Sequence, residues 1–271
     1  MNKKVWRGRG CAAVTLIELL VVIALIGIIA AMVLPRLDQT KQRSRAIRCL
    51  SNLKQMDTGW MLYYGDNSDK LVFSGGVNCL VQNPNDPNAR EGGSRSQWVL
   101  GSMHAAPSWT NSALVQRGLL WPYLRVLDLY KCPDDPKTDK WTANGGAPTL
   151  RSMSMNCWLN PLVPWPGGRV FRKQSDLILP PPSRCWVMVD ECPNSIEDGC
   201  FVCAPNSDKW VDIPAGYHGS GSVGSLSFAD GHVELKKWTD KNLPLALYGN
   251  SPSDPASRDL SWLKERSTIR R

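Results

Sequence analysis

The sequence predicts an α+β protein: one long N-terminal helix, apolar in its first half, packed on a β-rich head of antiparallel sheet with long loops. Three observations carry this. The run Val14 to Leu34 is 21 residues of almost unbroken apolar side chains. A helical pattern then continues to about residue 64, with Ala46, Ile47, Leu50, Leu53, Met56 and Met61 on one face and Lys41, Arg43, Arg45 and Lys54 on the others. Beyond it, 22 glycines and 20 prolines in the whole chain favour turns and short strands over further long helices.

At about 1.5 Å per residue, a helix over 14–34 spans roughly 30 Å, the hydrocarbon thickness of a bilayer. It carries one acid, Glu18, and a carboxylate in such a run is expensive enough to mark a function. A cleaved secretory signal has a shorter apolar core and a small-residue cut site after it, and Pro35-Arg36-Leu37 offers none. An uncleaved anchor fits the length and leaves Glu18 unexplained. Basic residues flank the run on both sides, Lys3, Lys4, Arg7 and Arg9 before it and Arg36 to Lys54 after it. In that position they serve topology and lipid headgroups, and nucleic acid is not an expected partner.

The composition excludes a disordered chain: 12 Trp and 42 % hydrophobic residues can fill a core. Nine cysteines are many for a reducing compartment, and in an exported head disulfides are expected among Cys49, Cys79, Cys132, Cys157, Cys185, Cys192, Cys200 and Cys203. Spacing does not say which of them pair. Cys200-Phe-Val-Cys203 has the spacing of half a zinc site, but a ribbon needs a second such pair and none is present.

In the head, the strand candidates are Cys185 to Val189, Gly224 to Phe228 and His232 to Leu235. Asp230-Gly231 between the last two is a hairpin signal. Pro161 to Gly168, Pro180 to Ser183 and Ser251 to Ser257 read as loops, and residues 70–130 carry no assignable pattern. The Trp residues at 98, 109, 121, 141, 158, 165, 186 and 210 are expected mainly in the core. No Gly-x-Ser-x-Gly or His-Glu-x-x-His motif occurs, so an enzyme is not expected. Asp66-Asn67-Ser68-Asp69 lacks the glycine and glutamate of an EF-hand and reads as a turn.

The stretch Val14-Thr15-Leu16-Ile17-Glu18-Leu19-Leu20-Val21-Val22-Ile23-Ala24 resembles the prepilin cleavage and methylation motif of type IV pilins and type II secretion pseudopilins. The resemblance implies a pilin-like fold. It also implies cleavage by a prepilin peptidase between Ala13 and Val14, N-methylation of Val14, and an assembly contact from Glu18 to the amino terminus of a neighbouring subunit. The sequence departs from the family at two positions, with Ala13 where glycine is usual and Val14 where phenylalanine is usual. An uncleaved anchor is the alternative.

The expected layout is a leader over 1–13, a transmembrane helix over 14–34, its amphipathic continuation over 35–64 and an extracytoplasmic head over 65–271. The partners are like or related pseudopilin subunits, the peptidase and inner-membrane lipid. A second reading keeps the anchor but makes the head a carbohydrate- or peptide-binding or enzymatic domain.

A second resemblance joins Arg48 to Met56 with the C-terminal segment His218-Gly219 to Asp230-Gly231-His232. Both are similar to a pseudopilin-like group abundant in planctomycete and verrucomicrobial bacteria, in which a histidine precedes Asp-Gly at a set interval. His218, Asp230 and His232 read as a structural turn, a metal site or, least of all, a catalytic group. Some pseudopilins hold calcium in a C-terminal loop, which makes Asp190, Glu191, Asp198 and Asp230 the oxygen-ligand candidates.

Overall fold

In the computed structural model the described residues are 15–76, 79–104, 107–135, 149–193, 195–219, 221–240, 243 and 254–270, without the side chains of residues 30 and 33–36. Ala13, Val14 and Trp141 therefore lie outside the described residues. The chain divides into two compact units, Met1–Arg43 and Ser44–Arg271.

Helix α1 runs Leu16–Asp66, 51 residues, and continues through Pro35 and Gly59. It opens on a capping box. The Thr15 hydroxyl accepts the Glu18 amide at 3.3 Å, while a Glu18 carboxylate oxygen accepts both the Thr15 amide and hydroxyl at 2.8 Å. In the first unit the apolar side chains of α1 face outward: Leu16 is 74 % and Met32 is 68 % exposed. Among the described residues no helix is long and apolar enough to cross a membrane.

In the second unit α1 presents a heptad-like buried stripe of Ala46, Cys49, Leu53, Met56, Trp60 and Tyr63. Of the expected face, Ala46, Leu53 and Met56 lie in this stripe, whereas Ile47 is 67 % exposed; the rest of the stripe is a cysteine and two aromatic residues outside the aliphatic pattern. Gly59 does not end the helix. A Cβ there would lie 2.7 Å from Leu124 Cδ2, so the glycine admits the neighbouring helix. Where α1 stops, Asn67 Nδ2 donates to the Tyr63 carbonyl, and Ser68 and Asp69 take positive φ.

The head is built on five strands: β1 (Met153–Asn156), β2 (Trp186–Asp190), β3 (Cys200–Phe201), β4 (Val223–Phe228) and β5 (Val233–Lys237), in the order β3-β1-β2-β4-β5. All neighbours are antiparallel except β1 and β3, so the sheet is mixed, not purely antiparallel. The two residues of β3 return after a long connection, which is what a parallel pair needs. The expected hairpin is present: Ser227 pairs with Val233 across the Ala229-Asp230-Gly231-His232 turn.

One sheet face packs on the α1 stripe through Met153, Met155, Val187 and Met188. The other packs Trp186, Val189, Leu226 and Phe228 against Leu260 and Leu263 of α4 (Arg258–Lys264). Because β2 is covered on both sides, its five residues are all buried and read as a continuous apolar run.

Alternation along β2 breaks. Cys185 and Val187 face α1 and Trp186 faces α4, yet Met188 also joins the α1 side and Val189 the α4 side. The β2–β4 register shifts between Trp186 and Val189, as a bulge does, and the inserted residue flips every later side chain. Asp190 is thereby turned toward α1.

The segment without sequence signals holds two short helices, α2 (Ser112–Gln116) and α3 (Trp121–Leu124), joined by irregular chain. Trp98, Trp158, Trp186 and Trp210 are buried as expected, whereas Trp109, Trp121 and Trp165 are half-buried.

Candidate functional site

Two features stand out, one in each unit. In the first, Glu18 sits in the opening turn of α1 on an exposed apolar helix, its carboxylate engaged by Thr15. The pattern Thr-x-x-Glu before an apolar run is a capping signature in its own right, and sequence reading passed over it in favour of an assembly contact. The carboxylate thus has a structural task, and it also lies among exposed leucines, isoleucines and valines where a cation from outside the helix would be its natural complement.

In the second unit the bulge brings Asp190 beside Cys49. The Cys49 thiol donates to Asp190 Oδ2 at 3.2 Å. Ser152 donates to Oδ1 at 3.3 Å, and Ser225 makes a short contact with Oδ2. Next to them Cys132 Sγ lies 3.4 Å from His218 Nε2, and the Cys132 amide donates to Ser152 Oγ at 2.7 Å. The far ring nitrogen, His218 Nδ1, is 2.7 Å from Asp134 Oδ2, and Asp134 pairs in turn with Arg45.

One ligand atom each from Cys49, Cys132, Asp190 and His218 all fall within 4.8 Å of one another, and all four residues are buried. The hydrogen bond with Cys49 is the main cause that holds the Cys132 thiol low, at about 6; burial opposes it and His218 assists. Burial works against a charged His218, but Cys132 and Asp134 outweigh it and raise the imidazole to about 9.

The four oxygen-ligand candidates do not converge. Asp190 belongs to the cysteine cluster. The Glu191 carboxylate accepts from Ser195 Oγ at 2.8 Å, and burial pushes it up to about 8. Asp198 Oδ1 accepts the Cys200 amide at 2.7 Å, and Asp230 Oδ1 lies 2.6 Å from His232 Nδ1 in the β4–β5 turn. Among the described residues, the one group of three or more His, Cys, Asp or Glu ligands is Cys49, Cys132, Asp190 and His218. Cys200 and Cys203 are not in it.

His218, Asp230, Gly231 and His232 separate the same way. His218 joins the cluster, while the other three form the turn that docks on α1. Gly231 has φ +92° and a Cβ there would meet Met61 Cε at 2.8 Å, its carbonyl accepts from Lys54, and His232 stacks on Phe228 at 4.2 Å. The expected disulfides are not formed among Cys49, Cys79, Cys132, Cys157, Cys185, Cys200 and Cys203, which are free, buried thiols.

Comparison with known proteins bears on less than a third of the chain. Residues 8–34 match the prokaryotic N-terminal methylation motif. The chain is 32 % identical over 82 residues to the type II secretion system core protein G of Vibrio cholerae, covering 29 % of this chain and 56 % of that protein. It is 34 % identical over 83 residues to the core protein G of Klebsiella pneumoniae, covering 29 % and 59 %, and 30 % identical over 73 residues to that of Dickeya chrysanthemi, covering 27 % and 48 %. The chain spans about half the length of the curated relatives it matches. No solved structure matches it. Through its methylation motif and this partial match, the chain is type IV pilin- and pseudopilin-like.

Proposed function

We propose that the protein is a structural, non-catalytic pseudopilin-like subunit of a type II secretion or type IV pilus type of assembly. In this reading a prepilin peptidase cleaves between Ala13 and Val14, Val14 is N-methylated, and the apolar run holds the chain in the inner membrane with the head outside the cytoplasm. The observation that carries it is the methylation motif over residues 8–34 together with the core protein G similarity. The exposed apolar side chains of α1 support it, since in water they would aggregate, and lipid or neighbouring helices give them cover.

Glu18 then has two roles at once, capping α1 and offering a buried-type carboxylate to the amino terminus of a neighbour. A charge pair inside an apolar bundle is costly to break from one side, so loss of the carboxylate should act on assembly out of proportion to its size.

The two roles separate in one substitution. Glutamine caps at this position as glutamate does, so Glu18→Gln keeps the helix start and removes the charge. In membranes, cysteine- or amine-directed crosslinking of Glu18→Gln is expected to show loss of multimers with the protein still in the membrane fraction. Wild-type multimer yield in Glu18→Gln would overturn the assembly role.

A further inference from the structure

We propose that Cys49, Cys132, Asp190 and His218 form a structural zinc-type metal site in the head. The donor set is two thiolates, one imidazole and one carboxylate, a mixed sulfur–nitrogen–oxygen set suited to zinc and foreign to calcium, which takes oxygen alone. Bonds of about 2.0–2.3 Å at tetrahedral angles give sulfur-to-nitrogen or sulfur-to-oxygen edges of about 3.5 Å. Two such edges are already present: Cys49 Sγ to Asp190 Oδ2 at 3.2 Å and Cys132 Sγ to His218 Nε2 at 3.4 Å. With every ligand atom within 4.8 Å of the others, adjustments of about 1 Å or less close the tetrahedron.

The surroundings are those of a metal site and not of a chance cluster. His218 presents Nε2 to the thiols while Nδ1 is held by the Asp134 carboxylate, the carboxylate–histidine–metal arrangement that fixes the tautomer and aims the ring. Asp134 is itself paired with Arg45. Asp190 is oriented through Ser152 on one oxygen and Ser225 on the other. All four ligands come from the protein and are buried, which describes a closed, structural site with no position left for substrate. Cys132 also lines a surface cleft of about 560 Å³ with Asn52, Lys131 and Asp135, which gives an ion a way in.

The rival chemistry is a Cys49–Cys132 disulfide. It would spend both thiols and leave Asp190 and His218 facing a bridge that answers neither, whereas a divalent cation satisfies all four. Bound metal would staple the α1 spine to β2, to the segment after the 3₁₀ turn at Leu127–Tyr130 and to the loop before β4. The site lies within Ser44–Arg271 and is independent of the assembly reading.

The test uses the full chain purified in detergent with added zinc, then dialysed. Elemental analysis is expected to give about one zinc per chain, and cobalt(II) replacement is expected to give thiolate charge-transfer absorption. Cys132→Ser and His218→Gln should lose both signals, while Cys185→Ser, a buried thiol away from the cluster, should keep them. Chelation should lower the wild-type Tm by about 10 °C. Should the variants fail to fold, the wild type decides by itself: no bound zinc and no cobalt–thiolate band overturns the proposal, as does a mass showing Cys49 and Cys132 bridged in the metal-treated, non-reduced protein.

Discussion

Asp57 shows how much a single polar residue costs on the buried face of α1. It is fully buried on the stripe, one turn from Lys54 and against the Gly231 turn. Burial pushes its carboxyl up to about 7, with Ser227 and Lys54 pulling the other way. A carboxyl raised in the folded state contributes its stability below about pH 4 and loses it as pH rises through about 7. Asp57→Asn should therefore melt like the wild type near pH 4 and higher than it at pH 8, by on the order of 3 kcal/mol in stability. Parallel melting profiles for the two proteins across that range would show that Asp57 ionises without penalty. The acid was passed over in sequence because polar residues on an amphipathic helix are expected on the solvated face.

Elements were legible where one pattern governed them. The Asp-Gly hairpin and the core of β2 follow from turn chemistry and a buried apolar run. The bulge in β2 leaves no mark in Trp-Val-Met-Val-Asp, because both faces are covered and both demand apolar residues. The residue it re-aims, Asp190, was consequently grouped with Glu191 and not with Cys49, from which it is 141 positions distant. The same limit applies to Cys132 and His218, 86 positions apart, since metal spacing rules read only near neighbours. On α1 the stripe of Leu53, Met56 and Trp60 makes a direct prediction. Trp60→Ala should destabilise the folded chain by about 3–5 kcal/mol, and Ile47→Ala, at an exposed position, should stay within about 0.5 kcal/mol. Denaturant titration of both in detergent checks the order, and a larger loss for Ile47→Ala would place the core on the other helix face.

At the scale of the molecule the protein joins a segment with a known motif to a head that the matched relatives leave largely uncovered. The methylation motif and the similarity to core protein G bear on less than a third of the chain. The N-terminal motif was readable because it is local: apolar length and one acid lie in consecutive residues. The head was readable only in outline, since its mixed sheet and its cysteine cluster are assembled from residues that no short window holds together. A pseudopilin-like subunit with a metal-stapled head is the account that unites the two. Its central claim rests on processing at Ala13, where the family usually has glycine, and a methyl group more at that position must still fit the peptidase. Mass spectrometry of the mature N-terminus, on the full chain expressed together with a prepilin peptidase, tests this most directly. The account predicts N-methylated Val14 as the first residue; a chain that retains Met1 to Ala13, or one cut after Pro35, would contradict it.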